Sequence, residues 1–258
     1  MSAPNPRFIA ARDNALFKDL RQLAQGSRAG RKQQRAWLEG EHLCRALLAC
    51  GQRPALAVFS ESFWPLARME FGPAASENIV VADALWRGIS ALESPAPLAF
   101  VFDLPPAPAL LPHAPTVVLD RVQDAGNVGS ILRSAAALDF TQIAALAGTA
   151  LLWSPKVLRA GMGAHFALRL VEGLAPDALQ ALQTPLLVTS VHEGQWLHQA
   201  RLPWPCAWVL GHEGQGVSAA VAARAALQLR IAQPGGQESL NVAAAAAICL
   251  HASAIGNS

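Results

Sequence analysis

The feature that most constrains the fold is a repeated order of apolar strand, polar loop and helix along residues 115–258. Apolar runs that suit buried strands occur at 116–122, 142–147, 185–191, 206–211 and 227–232, and helical patterns follow several of them. Strands that alternate with helices pair in parallel, and helices cover both faces of such a sheet. The sequence therefore predicts an α/β fold with a mostly parallel C-terminal sheet, and ligands bind beyond the carboxyl ends of such strands.

A second, smaller α/β domain is predicted before this region. Short apolar runs at 55–60, 79–82 and 97–102 are typical of buried strands, and the helix that contains Leu16, Leu20 and Leu23 has Asp13 as a candidate cap. Seven of the 18 prolines fall between Ser94 and Pro115, where the backbone cannot continue a helix. We predict domains at 1–103 and 115–258, joined by a proline-rich linker at 104–114.

Positive charge is concentrated near the N-terminus. Residues 1–53 contain 10 Lys and Arg against 4 Asp and Glu, whereas the formal net charge of the whole chain is only +2. Such an imbalance suits an anionic partner such as nucleic acid, although an ordinary solvated helix surface accounts for it equally well. Its densest part is a glycine-broken segment, predicted to be a mobile loop, with the basic residues Arg28, Arg31, Lys32 and Arg35.

The cysteines and the apolar segments bear on the cellular compartment. Cys44, Cys50, Cys206 and Cys249 show neither paired nor metal-ligand spacing, which favours buried thiols in a reducing environment and predicts no metal site. The N-terminus lacks the apolar run of a signal peptide, and the most apolar stretch, 242–256, is shorter than the roughly 20 residues of a membrane span. We expect a soluble cytoplasmic protein that does not bind a membrane.

Three glycine-rich loops follow three of the predicted strands: QDAGNVGS at 123–130, GHEGQGVS at 211–218 and QPGGQES at 233–239. Glycine lets the backbone approach a ligand closely, but a single glycine-rich turn is weak evidence for a site. Three such turns at the same edge of a sheet predict one composite site. None of them matches the dinucleotide pattern GxGxxG, the nucleotide-binding pattern GxxxxGK[ST] or the hydrolase pattern GxSxG.

Each loop carries polar residues with a functional and a structural interpretation. Arg133 lies where a helix start favours an anion, but it is equally a surface residue, and Asn127 is equally a turn former. Ser239 is the expected N-cap of the last helix, which leaves Asn241 in the first turn, where an amide does not favour helix stability. Glu213 has no structural role that the sequence identifies beyond that of a solvated carboxylate.

The stretches DAGNVGSILRSAAAL, VLGHEGQGVS and QPGGQESLNVAAAAA resemble, in order, the three motifs of the SpoU/TrmH family of RNA ribose methyltransferases, within the SPOUT superfamily. The matching elements are N-x-G-x-x-x-R, G-x-E-G-x-G and S-L-N-V. The N-terminal stretches DNALFKDLRQLAQ, WLEGEHL and ISALESP are similar to the small substrate-binding domain of the family. The resemblance therefore covers nearly the whole chain.

The resemblance implies S-adenosylmethionine as cofactor, a homodimer, a deep trefoil knot in the C-terminal domain, and RNA binding by residues 1–103. Ribosomal RNA is favoured over transfer RNA because of the appended N-terminal domain. The positions that match functional residues of the family are Asn127, Arg133, Glu213, Ser239 and Asn241. The cofactor-binding loops are expected to contain Leu210, Gly211, Gly214, Gly216, Ile231, Gln233, Ser239 and Leu240.

Several points stay open at this stage. Family proposals make the arginine that matches Arg133 the general base, but a guanidinium holds its proton too tightly for this role, and Glu213 is left either to orient the loop or to accept a proton. Lys156 and Arg159, one turn apart on a helix, are either RNA contacts or a surface pair. The alternatives to a ribose methyltransferase are a family member that binds RNA without methylating it and a base methyltransferase of the same superfamily.

The sequence departs from the family pattern at three places, one of which is Ala125, where proline is common and whose exchange should loosen the first loop slightly. The third motif usually begins Ile-Pro-Met, whereas this chain has Ile231, Ala232 and Gln233. Asp139 stands after the first helix, where glycine is usual, and aspartate tolerates the left-handed conformation better than most residues. We expect the altered start of the third motif to leave the catalytic stretch intact and Asp139 to have little effect.

Overall fold

The chain divides into two compact units in the structure, a computed structural model that describes residues 5–26, 30, 32–190, 193–235 and 239–256. The first unit consists of Met1–Pro106 and Trp153–Phe166, and the second of Ala107–Leu152 and Ala167–Ser258. Segment 153–166 thus packs with the N-terminal unit, whereas the sequence placed it in the C-terminal domain. The bounds of the RNA-binding and catalytic domains stay a prediction, because packing does not test which segments function on their own.

The helices and strands have the following bounds. The strands are β1 (Arg7–Ile9), β2 (Arg35–Glu39), β3 (Leu56–Ser60), β4 (Glu77–Val81), β5 (Leu98–Asp103), β6 (Thr116–Asp120), β7 (Gln142–Leu146), β8 (Arg169–Leu174), β9 (Leu186–Thr189), β10 (Gln195–Trp196), β11 (Ala207–Gly211) and β12 (Leu227–Arg230). The helices are α1 (Ala15–Gln25), α2 (Glu41–Ala49), α3 (Trp64–Ala67), α4 (Asp83–Trp86), α5 (Ala125–Ala137), α6 (Pro155–Gly161), α7 (Ala219–Ala222) and α8 (Val242–Ile255).

The first unit is built on a mixed sheet in the order β1-β4-β3-β5-β2, in which β5 is antiparallel to β3 and β2. Both faces are buried, because successive side chains of a strand point to opposite faces. In β3, Val58 packs in the cluster that includes α1, whereas Ala57 and Phe59 pack in the cluster that includes α2 and α6. The predicted strands at 55–60, 79–82 and 97–102 are confirmed, and β1 and β2 were not predicted.

Segment 153–166 joins the first unit through apolar contacts. Leu158 is fully buried among the residues of α2, β3 and β5, and Trp153 and Phe166 pack against the same cluster. Ser154 is the N-cap of α6 and accepts a hydrogen bond from the Val157 amide. The cap of α1, in contrast, is Asn14 and not Asp13, because the Asn14 side chain accepts the hydrogen bond from the Phe17 amide.

The second unit contains a seven-stranded sheet in the order β10-β12-β9-β11-β6-β7-β8, and every pairing in it is parallel. The predicted α/β fold with a parallel sheet is therefore confirmed. The edge strands β8 and β10 were not predicted. The trefoil knot stays a prediction.

The central strands of this sheet determine where the loops emerge. Gly211, the last residue of β11, lies directly opposite Asp120, the last residue of β6, so the loops that follow these strands leave the sheet side by side. Helix α8 is fixed against β11 by a buried hydrogen bond of 2.8 Å from Trp208 Nε1 to Ser253 Oγ. This contact places the C-terminal half of α8 against the central strand β11.

The cysteines differ in exposure. Cys44, Cys206 and Cys249 are buried, and burial raises the pKa of Cys206 to about 11 and that of Cys249 to about 12, so both thiols stay protonated at neutral pH. Cys50 is exposed, so the prediction of a buried thiol is wrong there; it follows the last residue of α2 at the surface. Among the described residues, no helix is long and apolar enough to cross a bilayer and no side-chain cluster suits a metal ion.

Candidate active site

Three side chains from three different loops form one hydrogen-bonded network in the second unit. Asn127 Nδ2 donates to Glu213 Oε1 at 3.1 Å, and Asn241 Nδ2 donates to Asn127 Oδ1 at 3.0 Å. These residues belong to the loops after β6, β11 and β12, which are called the first, middle and third loop below. The loops therefore meet at the carboxyl edge of the sheet, as the sequence predicted.

The amide orientations in this network follow from its chemistry. A carboxylate only accepts hydrogen bonds, so the nitrogen of Asn127 must face Glu213 and its oxygen must face Asn241. The oxygen of Asn241 is used by the amides of Ala243 at 2.9 Å and Ala244 at 3.3 Å, so its nitrogen must face Asn127. Each of these contacts therefore pairs a donor with an acceptor, and neither asparagine can be flipped without the loss of hydrogen bonds.

Asn241 is the N-cap of α8, and Ser239 is not. The prediction that Ser239 caps the helix and that Asn241 lies within it is wrong, because the helix begins at Val242. Asparagine is as good an N-cap as serine, since its side-chain oxygen can accept from backbone amides of the first turn that have no partner within the helix. Ser239 and Leu240 lie exposed just before the cap.

The first loop is held by two carboxylates. Asp124 is the N-cap of α5 and accepts from the Asn127 amide at 2.7 Å, so the helix begins at Ala125. Glu213 accepts from the backbone amides of Gln123 at 3.3 Å and Asp124 at 3.2 Å. The amides that precede the helix are therefore bound by a residue of the middle loop.

These contacts set the acidity of Glu213. Partial burial alone would raise its pKa, but the hydrogen bonds from Asn127 and from the amides of Asp124 and Gln123 stabilise the charged form, and the net pKa lies below the usual glutamate value. A carboxylate of this kind is a weak base. The geometry favours the orienting role for Glu213 over proton transfer.

The middle loop is a tight reversal that needs glycine at Gly211. A Cβ at this position would overlap the backbone of Gly216 and Val217, whereas a Cβ at Gly214 would meet nothing closer than 3.8 Å. The backbones of His212 and Gly216 exchange hydrogen bonds of 3.0 and 2.8 Å, and His212 Nδ1 accepts from the amides of Gly214 and Gln215. His212, which the sequence analysis did not single out, thus holds this loop together through its backbone and its ring nitrogen.

Arg133 lies on α5, downstream of the network. Its side chain is exposed, and within the described part of the chain it makes no hydrogen bond or ion pair. On the opposite, inward face of α5, Val128, Ile131 and Leu132 are fully buried. Among the five motif residues, Asn127, Glu213 and Asn241 are joined to one another, and Arg133 and Ser239 are not joined to them.

The expected cofactor loops contain buried polar atoms that need a partner. Leu210 is buried in β11, Gly211 ends that strand, and Gly214 and Gly216 are exposed in the middle loop. Ile231 and Gln233 are half-buried after β12. Among the described residues no partner is present for the buried atoms Ser218 Oγ, Arg230 Nε and Gln233 Oε1. A buried polar atom without a partner is costly, so these atoms suit a polar ligand at the loops.

The expected RNA-binding residues that can be placed lie in the first unit. Lys32 and Lys156 are exposed, and Arg159 is half-buried on α6. Arg35, in β2, forms an ion pair of 2.7 Å with Asp103 on the adjacent strand, which neutralises part of its charge. Arg28 and Arg31 lie outside the described residues. The described part of the predicted mobile loop is helical at 30, 32 and 33 and enters β2 at Arg35, so the prediction of a loop is wrong there.

The sequence did not single out the residues that hold the loops to the sheet. Asp120 is buried at the end of β6, accepts from the backbone amide of Ser218 and pairs with Arg121 at 3.0 Å. A charged residue at the end of an otherwise apolar strand is the signal that would have identified it. Asp124 also had a sequence signal, because aspartate is a preferred N-cap residue and Asp124 stands just before the residues of α5.

Residues 114–251, which include all three loops, match the sequence profile described as the SpoU rRNA Methylase family. The chain belongs to the SpoU rRNA methylase family. The resemblance that the three motifs carry is thereby confirmed. Within this family, the 23S rRNA (guanosine(2553)-2'-O)-methyltransferase RlmP of Bacillus subtilis is 30% identical over 218 residues, which cover 83% of this chain and 86% of the relative.

Solved structures of this family share the fold. A structure attributed to the TrmH family of RNA methyltransferases, from Porphyromonas gingivalis, is 33% identical and superposes with a TM-score of 0.82, covering 94% of this chain and 98% of that one. An AdoMet-bound rRNA methyltransferase from Sinorhizobium meliloti has a TM-score of 0.83 at 23% identity, covering 96% of this chain and 97% of that one. The likeness to this second structure shows the fold alone.

Proposed function

We propose that this member of the SpoU family transfers a methyl group from S-adenosylmethionine to a ribose 2′-hydroxyl in structured RNA, with ribosomal RNA as the favoured substrate. The observation that carries the proposal is the network of Asn127, Glu213 and Asn241, which joins the three motif loops into one site. The name of the Bacillus subtilis relative supports both the 2′-oxygen and ribosomal RNA.

The cofactor is proposed to lie against the middle and third loops. S-adenosylmethionine carries a methyl group on a sulfonium that is already activated for transfer. Its polar groups match the buried atoms of Ser218, Arg230 and Gln233 that lack a partner in the described chain. The residues proposed to line this site are Leu210, Gly211, Gly214, Gly216, Ile231, Gln233, Ser239 and Leu240. The AdoMet-bound structure of the same fold supports the choice of cofactor.

The residues of the site are proposed to have two kinds of role: some position the loops, and Arg133 stabilises negative charge. Glu213, Asn127 and Asn241 position the loops, because their side chains are occupied by one another and by backbone amides. Arg133 is exposed and unpaired among the described residues, so its guanidinium is available for an RNA phosphate and for charge on the attacking oxygen. Ser239 is proposed to contact the sugar or the cofactor. Alignment of the hydroxyl with the methyl group supplies much of the rate.

Residues 1–103 are proposed to bind the RNA substrate. The charge imbalance of residues 1–53 and the exposure of Lys32 support this role. The exposed Lys156 lies on segment 153–166, which packs with the same unit. Arg28, Arg31, Arg35 and Arg159 are included from the sequence. Long-range attraction of this kind favours association with a polyanion without specifying its sequence.

We further propose that the protein is a homodimer and acts in the cytoplasm. Helix α8 is mostly apolar, yet Ile248 is 41% exposed and Ile255 is 59% exposed. A second copy of the chain would cover such a face, and exposed apolar positions on a long helix are typical of an interface. Sedimentation velocity tests the dimer directly.

The decisive experiment measures methyl transfer and its position. Ribosomal RNA from cells that lack the protein is incubated with the purified protein and S-adenosylmethionine labelled in the methyl group, with transfer RNA from the same cells in parallel. We expect label in ribosomal RNA, at one nucleotide that resists alkaline cleavage, because a 2′-O-methyl group removes the attacking hydroxyl.

The other outcomes identify the alternatives. Labelled RNA that is still cleaved at the modified nucleotide would indicate a base methyltransferase. Tight RNA binding without label would indicate a family member that does not methylate. Label in transfer RNA alone would reject the ribosomal substrate.

A further inference from the structure

The anchoring of the middle loop depends on a buried carboxylate at the end of β6. Asp120 is 2% exposed, and its two oxygens are used separately. Oδ2 accepts from the backbone amide of Ser218, where the middle loop ends, and Oδ1 accepts from Arg121 Nε at 3.0 Å. The carboxylate therefore joins the end of the middle loop to the side chain of Arg121.

Arg121 has a backbone conformation that needs support. Its φ of 63° lies in the left-handed region, which a long side chain rarely adopts. Its amide donates to Thr149 Oγ1 at 3.2 Å, and Thr149 Oγ1 donates to the carbonyl of Leu119 at 2.9 Å. Gly148 leaves room for the side chain, because a Cβ there would lie 3.2 Å from Arg121 Cγ. Strained residues that their surroundings hold in this way occur preferentially at functional sites.

The guanidinium of Arg121 reaches the tip of the middle loop. Nη1 donates to Gln215 Oε1 at 3.0 Å, and the amide of Gln215 donates to His212 Nδ1 at 3.2 Å. Gln215 lies two residues after Glu213, whose carboxylate holds the first loop. One side chain thus connects the buried end of β6 with the turn that carries Glu213.

We propose that Arg121 is a positioning residue that fixes the conformation of the middle loop for cofactor binding. It acts through two contacts, Nε to Asp120 and Nη1 to Gln215, which together span the loop from its tip to its end. The inference rests on the proposed function, because it assigns the middle loop to the cofactor. It predicts that removal of the Arg121 side chain loosens 212–218 without unfolding the sheet.

Arg121→Asn is the main test variant, because asparagine tolerates the left-handed conformation but is too short to reach Gln215. We expect the dissociation constant for S-adenosylmethionine, measured by calorimetry, to rise roughly tenfold, as for the loss of a charge-assisted hydrogen bond. Amide exchange in peptides that cover 212–218 should become faster, while exchange in β6 and β11 should not change.

Three further variants separate positioning from other roles. Arg121→Lys keeps the charge but cannot span both acceptors, so it should not restore cofactor affinity. Gln215→Ala removes only one of the two contacts, so it should raise the dissociation constant less than Arg121→Asn does, and the effects of the two substitutions should not add. Gln215→Glu keeps an acceptor for the guanidinium and should keep wild-type affinity.

The kinetic result expected is a higher KM for the cofactor with little change in kcat or in the KM for RNA. Unchanged cofactor affinity and unchanged exchange in Arg121→Asn would overturn the proposal. A rise in the KM for RNA alone would overturn it as well, because it would indicate a phosphate contact. If the wild-type protein does not bind S-adenosylmethionine, the proposed function fails, and the exchange measurement still tests whether Arg121 holds the loop.

Discussion

Asn127 Oδ1 accepts a hydrogen bond of 3.0 Å from Asn241 Nδ2, although the two residues are 114 positions apart in the chain. Asn127 lies in the first turn of α5, and Asn241 caps α8. The contact therefore joins the N-termini of two helices that follow different strands. Since Asn127 also donates to Glu213, one amide side chain couples all three loops.

Asn241→Ala should destabilise the protein more than Ser239→Ala. Loss of an asparagine N-cap costs about 1 kcal/mol in the free energy of unfolding, whereas an exposed serine that does not cap costs less than about 0.5 kcal/mol. Urea denaturation at neutral pH measures both. Asn241→Asp keeps the cap but cannot donate to Asn127, so its stability should stay near wild type while cofactor affinity falls. The reverse order of stabilities would show that Ser239 is the cap.

Gly211→Ala should disrupt the middle loop, and Gly214→Ala should not. The new methyl group would overlap the backbone of Gly216 and Val217 in the first case and would make only an ordinary contact of 3.8 Å with the His212 ring in the second. We expect Gly211→Ala to cost about 1–3 kcal/mol in stability, as overpacking does, and to lose cofactor binding in calorimetry. Equal effects of the two variants would contradict the tight reversal.

Arg133→Ala should fold like the wild type and lose activity. The side chain is exposed, so the melting temperature should hardly change, whereas turnover should fall roughly 10²-fold, as when one charge-stabilising donor is removed. Arg133→Lys should recover only part of the activity, since lysine lacks the planar fork of donors. Arg201→Ala, which alters another exposed arginine of the same unit, is the control and should stay active. Near-normal methyl transfer by Arg133→Ala would remove Arg133 from the mechanism.

Glu213→Gln should change the pH dependence of stability. The folded-state pKa of Glu213 lies below its usual value, so its charged form stabilises the fold above the unfolded-state pKa of about 4.3, and this contribution is lost as the pH falls through the folded-state value. The variant should be less stable than wild type at pH 7, by about 1 kcal/mol or less because the group is largely exposed. The difference should shrink well below pH 4.3 in acid denaturation. A difference that is constant with pH would mean that charge is not involved.

Lys156→Gln should weaken RNA binding in a salt-dependent way if α6 binds phosphates. The association constant for RNA falls with rising salt. For each phosphate that the protein no longer neutralises, the negative slope of its logarithm against log salt becomes shallower by roughly 0.7–0.9. Arg45→Gln is the matched control, because Arg45 already pairs with Glu41 at 2.7 Å and Glu70 at 2.8 Å. Filter binding between low and moderate salt measures the slopes. An unchanged slope for Lys156→Gln would leave this lysine as an ordinary surface residue.

The sequence predicted the parallel sheet because its strands are apolar runs whose period and length are local properties. It also predicted the meeting of the three loops, since the carboxyl ends of parallel strands share one edge. It missed β2 and β8. Strand β2 follows directly on a basic segment, and β8 contains Gly173, a residue type that is uncommon within strands. It placed segment 153–166 by chain order, whereas Leu158 packs in the apolar cluster of the first unit.

By itself, then, the amino-acid sequence determined the alternation of strands and helices in the second unit and the identity of the polar residues at the carboxyl edge of its sheet. Only the tertiary structure decided what those residues do. Asn241 and not Ser239 caps α8, Glu213 binds the amides of the first loop, and Arg121 spans the middle loop. The physical reason is that the direction of a hydrogen bond depends on which groups of distant segments come within about 3 Å, and no local pattern contains that distance.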